Sequence, residues 1–384
     1  MVAAFIAVFS GPVMAKVTGP CGNCHTMHNS QGGTSMITGY NAGSGPYGTL
    51  LRANGCLGCH AANDGITWQG VGGAPIVYNT FAPTYGASSD GGTTHQGLAG
   101  GNFYWVRTED TKGHNVFDGE GDANLTEAPG NKVSCSNDSC HQNLHNAFDG
   151  CGGGGGGGHD HASLKGRFGC TGCHMVSKDG ALSGFHHADD TADAVVDNSP
   201  AGQGWYRFLS GHKHANGHGV SGIEDDEWQQ NPTLSLHNEY LGKYEVDGND
   251  SNSWSLQNKT MTAFCCGCHG NFHVQESSEG WIRHPSDAVI PISGEYGGYT
   301  QYDPLAPVAR PDLTGWTGPS SSVNQGGIVA EDLVMCLSCH RPHGSPYPDM
   351  LRWDYDTMIA GGGPNDNGCF ICHTSKDDGV PGNP

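Results

Sequence analysis

The chain has few basic residues and no long hydrophobic run. Lys and Arg number 17 against 38 Asp and Glu, so the formal net charge is −21. A chain this acidic repels nucleic acid, which we exclude as a partner. After the first 15 residues, no stretch approaches the roughly 20 apolar residues of a membrane-spanning helix. The sequence therefore predicts no transmembrane span.

Apolar residues are also too scarce for an ordinary core. They make up 35% of 384 residues, whereas glycine alone occupies 63 positions. Clusters of Gly, Pro, Asn and Ser interrupt the chain, and strand-like fragments such as 102–107 are too few for a sheet to organise the fold. The composition predicts a mostly irregular chain with short helices and few strands.

What the chain has in excess is a cysteine pair followed directly by histidine, which occurs seven times. Six pairs have two intervening residues, and one pair has four. This spacing suits covalent haem c, because two sulfurs bond one porphyrin edge and the next residue offers its imidazole to iron. The predicted attachment residues are Cys21, Cys24, Cys56, Cys59, Cys135, Cys140, Cys170, Cys173, Cys265, Cys268, Cys336, Cys339, Cys369 and Cys372, and the predicted proximal ligands are His25, His60, His141, His174, His269, His340 and His373.

Structural zinc is the alternative, since Cys-x-x-Cys pairs with histidine also bind zinc. Zinc would not require histidine after every pair, and with 22 histidines in the chain the chance of that identity is on the order of 10⁻⁹. We therefore predict a fold organised around seven covalently bound haems. They supply the missing apolar core, and their thioether bonds restrict the unfolded chain. The remaining Cys151 and Cys266 form either a disulfide or two buried thiols.

The first 15 residues are apolar and end in a small-residue site, which is typical of the end of a secretory signal. Export agrees with the haem motifs, because bacterial c-type attachment takes place outside the cytoplasmic membrane. We expect export through the periplasm to the cell surface or the extracellular space. The motifs cluster as two, two and three, which predicts a signal-peptide remnant over 1–15, an N-terminal dihaem module over 16–131, a central dihaem module over 132–222 and a C-terminal trihaem module over 223–384.

The sixth iron ligands decide the function, because a haem with two histidines has no open position and can only pass electrons. Beyond the proximal ligands, 15 histidines remain. Four of them follow a proximal histidine by three or four residues, where helical spacing puts both rings on one face and directs them to neighbouring irons. The predicted distal ligands are His28, His145, His273 and His343 from these pairs, and His114, His237, His284 and one of the adjacent His186 and His187, taken as His187.

Four segments carry a family resemblance: 21–30 and 336–343, which both contain Cys-His-x-x-His, 112–115, and 268–273 with 283–285. They resemble the polymerising extracellular multihaem cytochromes of metal-reducing bacteria, the OmcS-like cytochrome nanowires. The resemblance covers both ends of the chain well and the middle poorly. It implies that His28 ligates the iron of His340 in a neighbouring copy. Such a head-to-tail contact does not close, so it yields a filament.

These observations favour a heptahaem electron conduit that is not an enzyme and that passes respiratory electrons to an external acceptor. Two alternatives stay open. A multihaem oxyanion reductase would keep one iron open, although no proximal histidine is replaced by lysine. A monomeric periplasmic electron shuttle would bind the same haems without polymerising.

Overall fold

The computed structural model describes residues 20–37, 46–47, 50–53, 55–85, 98–117, 169–174, 191–192, 195–196, 206–209, 219–244, 259–266, 269, 284–325, 331–361 and 367–376. Several predictions fall on other parts of the chain. The predicted signal segment lies outside the described residues, and so do Cys135, Cys140, His141, His145, Cys151, His186, His187, Cys268 and His273.

Helices are short throughout the described ranges. The α-helices have four or five residues each: α1 Leu57–His60, α2 Tyr104–Thr108, α3 Cys170–Cys173, α4 Met261–Cys265 and α5 Cys336–Cys339. Turns of 3₁₀ helix are Cys21–Asn23, Val71–Gly73, Asp110–Lys112, Tyr206–Phe208, Gly294–Tyr296, Pro348–Met350, Tyr355–Thr357 and Gly368–Ile371. None of these helices is long and apolar enough to cross a membrane.

The strands have only two or three residues each. They are β1 Ser30–Gln31, β2 Thr34–Ser35, β3 Ala61–Ala62, β4 Tyr78–Asn79, β5 Thr191–Ala192, β6 Val195–Val196, β7 Gly222–Ile223, β8 Glu239–Leu241, β9 Ala288–Val289, β10 Ala309–Arg310 and β11 Leu333–Val334. β1 pairs with β2, and β3 pairs with β4. The other strands form one sheet in the order β5-β6-β7-β8-β10-β11-β9, in which only β8 and β10 run parallel.

The mostly irregular architecture is confirmed, but two details of the prediction are wrong. The strand-like fragment 102–107 contributes to helix α2, where the side chain of Asn102 accepts the N–H of Tyr104 at 3.0 Å. The sheet also organises more of the chain than expected, because its strands gather a buried apolar cluster. Tyr240, Ala309 and Leu333 pack there with residues of α4 and the α5 region. Strand β7 spans the module boundary predicted after residue 222, and the modules themselves stay a prediction.

A buried charge network ties the strands of the sheet together. Arg310 on β10 donates from Nε to Glu239 Oε2 at 2.7 Å, and also bonds the carboxylate of Asp332. All three residues are at most 2% exposed. Burial raises the pKa of Asp332 to about 6 against the opposing charge of Arg310. For Glu239, hydrogen bonds from His237 and Arg310 outweigh burial and lower the pKa. Arg310 therefore compensates both carboxylates.

Candidate functional site

Every described cysteine-histidine motif folds into the same single turn. In each, the backbone N–H of the histidine donates to the carbonyl of the first cysteine four residues earlier. The N···O distances are 2.8 Å at His25, 3.0 Å at His60, 2.8 Å at His174, 3.0 Å at His269, 3.1 Å at His340 and 3.0 Å at His373. One helical turn places residues i and i+3 on the same side, so both sulfurs can reach one porphyrin edge.

A hydrogen bond at Nδ1 orients six histidine rings, four of which belong to attachment motifs. Backbone carbonyls accept from Nδ1 at 2.8 Å in four cases and at 3.0 Å in a fifth, and a carboxylate accepts at 2.5 Å in a sixth. The pairs are His60 with Pro75, His114 with Pro342, His174 with Arg207, His340 with Asp349, His284 with Pro285, and His373 with Glu295 Oε1. Because these oxygens only accept, the proton lies on Nδ1 and the Nε2 lone pair is left for a metal.

Three pairs of histidine rings face each other across the spacing that a metal ion requires. The ring centroids are 5.7 Å apart for His174 and His343, 6.1 Å for His114 and His269, and 6.3 Å for His284 and His373. Nε2 of His174 lies 3.4 Å from Nε2 of His343. An ion held at about 2 Å from each nitrogen spans about 4 Å. The donor sets therefore fit an iron with histidine on both sides.

Two of the facing histidines, His114 and His343, have a strongly lowered pKa. Burial first, and the neighbouring His269 second, lower the pKa of His114 to about 4. Burial and the neighbouring His174 lower the pKa of His343 to about 3. A neutral imidazole is the form that ligates a metal, so these residues need not lose a proton at pH 7 to bind iron.

His343 is seated in a slot that has no room for side chains. A Cβ atom at Gly100 would lie 2.9 Å from its Nδ1, and one at Gly113 would lie 2.9 Å from its carbonyl oxygen. Its N–H donates to Gly100 O at 2.7 Å, and its ring stacks on Phe103 with centroids 4.6 Å apart. These contacts therefore hold segment 98–117 against the segment that follows the sixth motif.

The rings of His340 and His343 diverge for a different reason from the one predicted. His340 ends α5 in an extended conformation, with φ −118° and ψ 152°. The two residues therefore do not share a helix face. A turn in the chain sends His343 to His174 while His340 remains with its own motif. Helical spacing was the wrong basis for the expectation that the two rings serve different irons.

The attachment motifs lie against one another in sequence order. In a haem-bound chain these sulfurs are thioethers, so their proximity measures how near neighbouring porphyrins come. Cys56 and Cys170 share a hydrogen bond that lowers the pKa of Cys56 to about 7, and Cys336 bonds Cys265. Neighbouring cysteines share a hydrogen bond, or one shifts the thiol pKa of the other electrostatically. The pairs are Cys24 with Cys59, Cys56 with Cys170, Cys173 with Cys265, Cys265 with Cys336, and Cys339 with Cys369 and Cys372.

The first and sixth motifs are supported in the same way. His25 bridges Leu51, and His340 bridges Leu351. The next residue, Arg52 or Arg352, donates its backbone N–H to the second cysteine's carbonyl at 2.9 Å in both sites. Its guanidinium then bonds the carbonyl of the residue after the first cysteine, at 2.9 Å from Arg52 and 2.7 Å from Arg352. The two sites are one repeated structural unit.

The repeat extends to the backbone before each leucine. Leu50 and Met350 have φ of 62° and 59°, and Phe208, which precedes the leucine that bridges His174, has φ of 59°. Non-glycine residues rarely adopt this left-handed conformation, and they retain it where surrounding structure enforces it. Sequence reasoning missed these supports. The recurring Leu-Arg dipeptide at 51–52 and 351–352 was the available signal.

Within this repeat, His28 occupies the position of His343 but has different surroundings. His343 is partly buried and lies against His174, whereas His28 is exposed. Met27 beside it is 70% exposed, and Leu50 is 47% exposed. The first unit therefore presents its second histidine, with apolar neighbours, at the surface of the described chain.

His237 is placed differently from the ligand role predicted for it. Its Nδ1 bonds Thr233 O at 2.9 Å, and its Nε2 bonds Glu239 Oε1 at 3.2 Å. The ring is 1% exposed and stacks on Tyr302 with centroids 3.6 Å apart. Both nitrogens are engaged, so the imidazole belongs to the buried network of the sheet.

Comparison with known proteins agrees with the motif geometry. A family model described as the doubled CXXCH motif matches residues 327–378. The C-type cytochrome OmcS of Geobacter sulfurreducens is 25% identical, over 87% of this chain and 78% of its own length. The chain is OmcS-like, being similar to a c-type cytochrome over most of its length. The residues above fit its covalent haem c, and the resemblance expected from the motifs is confirmed.

Solved OmcS assemblies from Geobacter sulfurreducens are also similar to the chain. The Outer Membrane Cytochrome S Filament matches 95% of this chain and 93% of its own, at 20% identity and a TM-score of 0.48. A structure of OmcS nanowires determined by cryo-electron microscopy matches 95% of this chain and 94% of its own, at 19% identity and a TM-score of 0.44.

Proposed function

We propose that this OmcS-like chain is a heptahaem electron conduit that polymerises head to tail outside the cell. The three facing histidine pairs carry the proposal. Bound haem c supplies a one-electron iron couple, and the chain's own residues hold the irons and space them. With histidine on both sides, an iron offers no position to a substrate, which supports electron transfer without catalysis.

Three iron sites follow from the ring pairs. His343 completes the site whose proximal ligand is His174, His114 completes that of His269, and His284 completes that of His373. Each distal ligand comes from a segment far along the chain. Haem binding therefore fastens distant segments together and helps to build the fold.

Continuity of the motifs supports conduction along the chain. Each described motif has a cysteine that neighbours a cysteine of the following described motif, so these cysteines would hold successive porphyrins as neighbours. The third predicted haem, at Cys135, Cys140 and His141, is part of the proposal on its sequence alone. Electrons would enter at one end of this series and leave at the other for an external acceptor.

The repeat between the first and sixth motifs supports polymerisation. His343 leaves its own motif to face the histidine of another, and His28 occupies the same place in the repeated unit while lying exposed. We assign His28 to the iron of His340 in a neighbouring copy. This contact joins two different surfaces, so it repeats without closing and produces an extracellular filament.

Replacing His28 tests the filament. His28→Ala should leave the haem content unchanged, remove filaments from electron micrographs, and convert one haem per subunit to a high-spin form. His284→Ala is the matched control, because it also opens one iron but leaves the proposed junction intact. Unchanged filaments in His28→Ala would refute the junction, and soluble monomers from the unaltered chain would favour the periplasmic shuttle.

A further inference from the structure

Four proximal histidines have a described acceptor at Nδ1, and for His373 it is of a different kind. For His60, His174 and His340 the acceptor is a backbone carbonyl, which is neutral. For His373 the acceptor is the carboxylate of Glu295, with Nδ1 and Oε1 2.5 Å apart. A hydrogen bond to an ionised acceptor is roughly twice as strong as one between neutral groups.

Glu295 is held in place for this contact by three further bonds. Its other oxygen, Oε2, lies 2.9 Å from Nζ of Lys376. Its backbone carbonyl accepts from the hydroxyl of Thr374 at 2.8 Å and from the N–H of Ser375 at 3.3 Å. The ammonium of Lys376 therefore pairs with the same carboxylate that contacts His373.

We propose that Glu295 is a positioning residue that lowers the reduction potential of the haem at His373. The inference rests on the proposed pairing of His284 and His373 around that iron. A carboxylate pulling on the Nδ1 proton makes the imidazole a stronger electron donor, which favours ferric over ferrous iron. One electron would enter this iron and leave to the neighbouring haem at His340, while the proton would stay on Nδ1.

The position of this haem gives the lowered potential a role. The seventh motif is the last along the chain, and its cysteine Cys372 neighbours Cys339 of the sixth motif. The sixth proximal histidine, His340, has a neutral acceptor. The structure therefore assigns a potential step between the last two haems, so that electrons move downhill from the seventh site to the sixth.

Glu295→Gln tests the effect of the carboxylate. The amide keeps the size of the side chain but removes its charge, so one component of a spectroscopic redox titration should move to a higher potential. We expect a change on the order of tenfold in the ferric-to-ferrous ratio at fixed potential, which is about 59 mV for one electron. An unshifted titration with intact haem content would overturn the proposal.

Two further variants separate the hydrogen bond from charge alone. Glu295→Asp keeps the charge but shortens the reach to Nδ1, so its potential should rise as in Glu295→Gln; an unaltered potential would overturn the proposal. Asp349→Asn is the control, because it removes a carboxylate near His340 while the backbone carbonyl of residue 349 still holds Nδ1. Its potential shift should be smaller than that of Glu295→Gln, and an equal shift would contradict a role for the hydrogen bond.

Lys376→Gln keeps the test decisive if both Glu295 variants fail to fold. Lys376 is half exposed at the surface, and its loss frees the carboxylate to pull harder on Nδ1. The same titration component should then move to a lower potential, and a rise or no change would overturn the proposal. Failure of the histidine pairing is seen separately, because His284→Ala would then leave every haem low-spin.

Discussion

At the scale of single residues, the second nitrogen of the imidazole separates the proposed ligand His284 from His237. His284 and His237 both have Nδ1 on a backbone carbonyl, at 3.0 and 2.9 Å. Nε2 of His237 is used by Glu239, whereas the ring of His284 faces that of His373. Only the histidine with a free Nε2 can hold an iron.

Substitution of these two residues should have opposite spectroscopic results. His284→Ala should retain all haems and convert one to a high-spin form, because the iron at His373 loses its sixth ligand. His237→Phe keeps the stack on Tyr302 and should leave every haem low-spin. It should cost about 1–3 kcal/mol of unfolding free energy, because two buried hydrogen bonds are lost. Electron paramagnetic resonance and denaturant titration would check both, and a new high-spin signal in His237→Phe would restore it as a ligand.

The sequence alone could not separate these two histidines. What distinguishes them is a contact that the sequence does not reveal. Nε2 of His237 bonds Glu239, two residues along, whereas the ring of His284 meets that of His373, far along the chain. The cysteine motifs were different, because their chemistry is contained in five consecutive residues. Glu295 carried no signal at all, since its role arises from a contact with a residue 78 positions away.

At the scale of elements, the sheet is stabilised more by the buried charge network of Arg310 than by the hydrogen bonds of its short strands. Strands of two or three residues contribute few hydrogen bonds, and the network of Arg310 with Glu239 and Asp332 joins β8, β10 and the residue before β11. Such strands have no alternation long enough to read in a sequence, which explains why the sheet was not predicted. The single-turn helices follow directly from the attachment motifs.

Removing the arginine should therefore weaken the sheet strongly. Arg310→Met leaves two buried carboxylates without their common partner, and should cost about 3–5 kcal/mol of unfolding free energy. Arg107→Met is the control, because Arg107 is exposed and its guanidinium lies over the ring of Phe117 at 4.7 Å. Its cost should be about 1 kcal/mol or less. Denaturant midpoints followed by the Soret band would measure both, and equal midpoints would refute a structural role for the network.

At the scale of the whole molecule, the net charge of −21 opposes the joining of copies. Haem propionates add to it in the loaded protein. Copies brought end to end repel one another over a Debye length, which is about 30 Å at 0.01 M salt and about 8 Å at 0.15 M. The proposed ligation by His28 must work against this repulsion.

Filament assembly should consequently increase with salt. Raising the salt from 0.01 to 0.15 M should lengthen filaments and increase the fraction of protein that sediments, because screening removes repulsion between subunits. Filament length in cryo-electron micrographs and quantitative sedimentation would measure the effect. The His28→Ala variant should remain monomeric at both concentrations. Longer filaments at low salt would show instead that complementary charges draw the subunits together.

The glycines around His343 place a limit on how this chain can vary. A methyl group at Gly100 would press on the ring of His343, and one at Gly101 would come within 2.0 Å of the carbonyl oxygen of Gly344. A substitution of glycine by alanine there would look harmless in a loop. It would instead disturb the iron proposed at His174, which is distant in sequence from the altered loop.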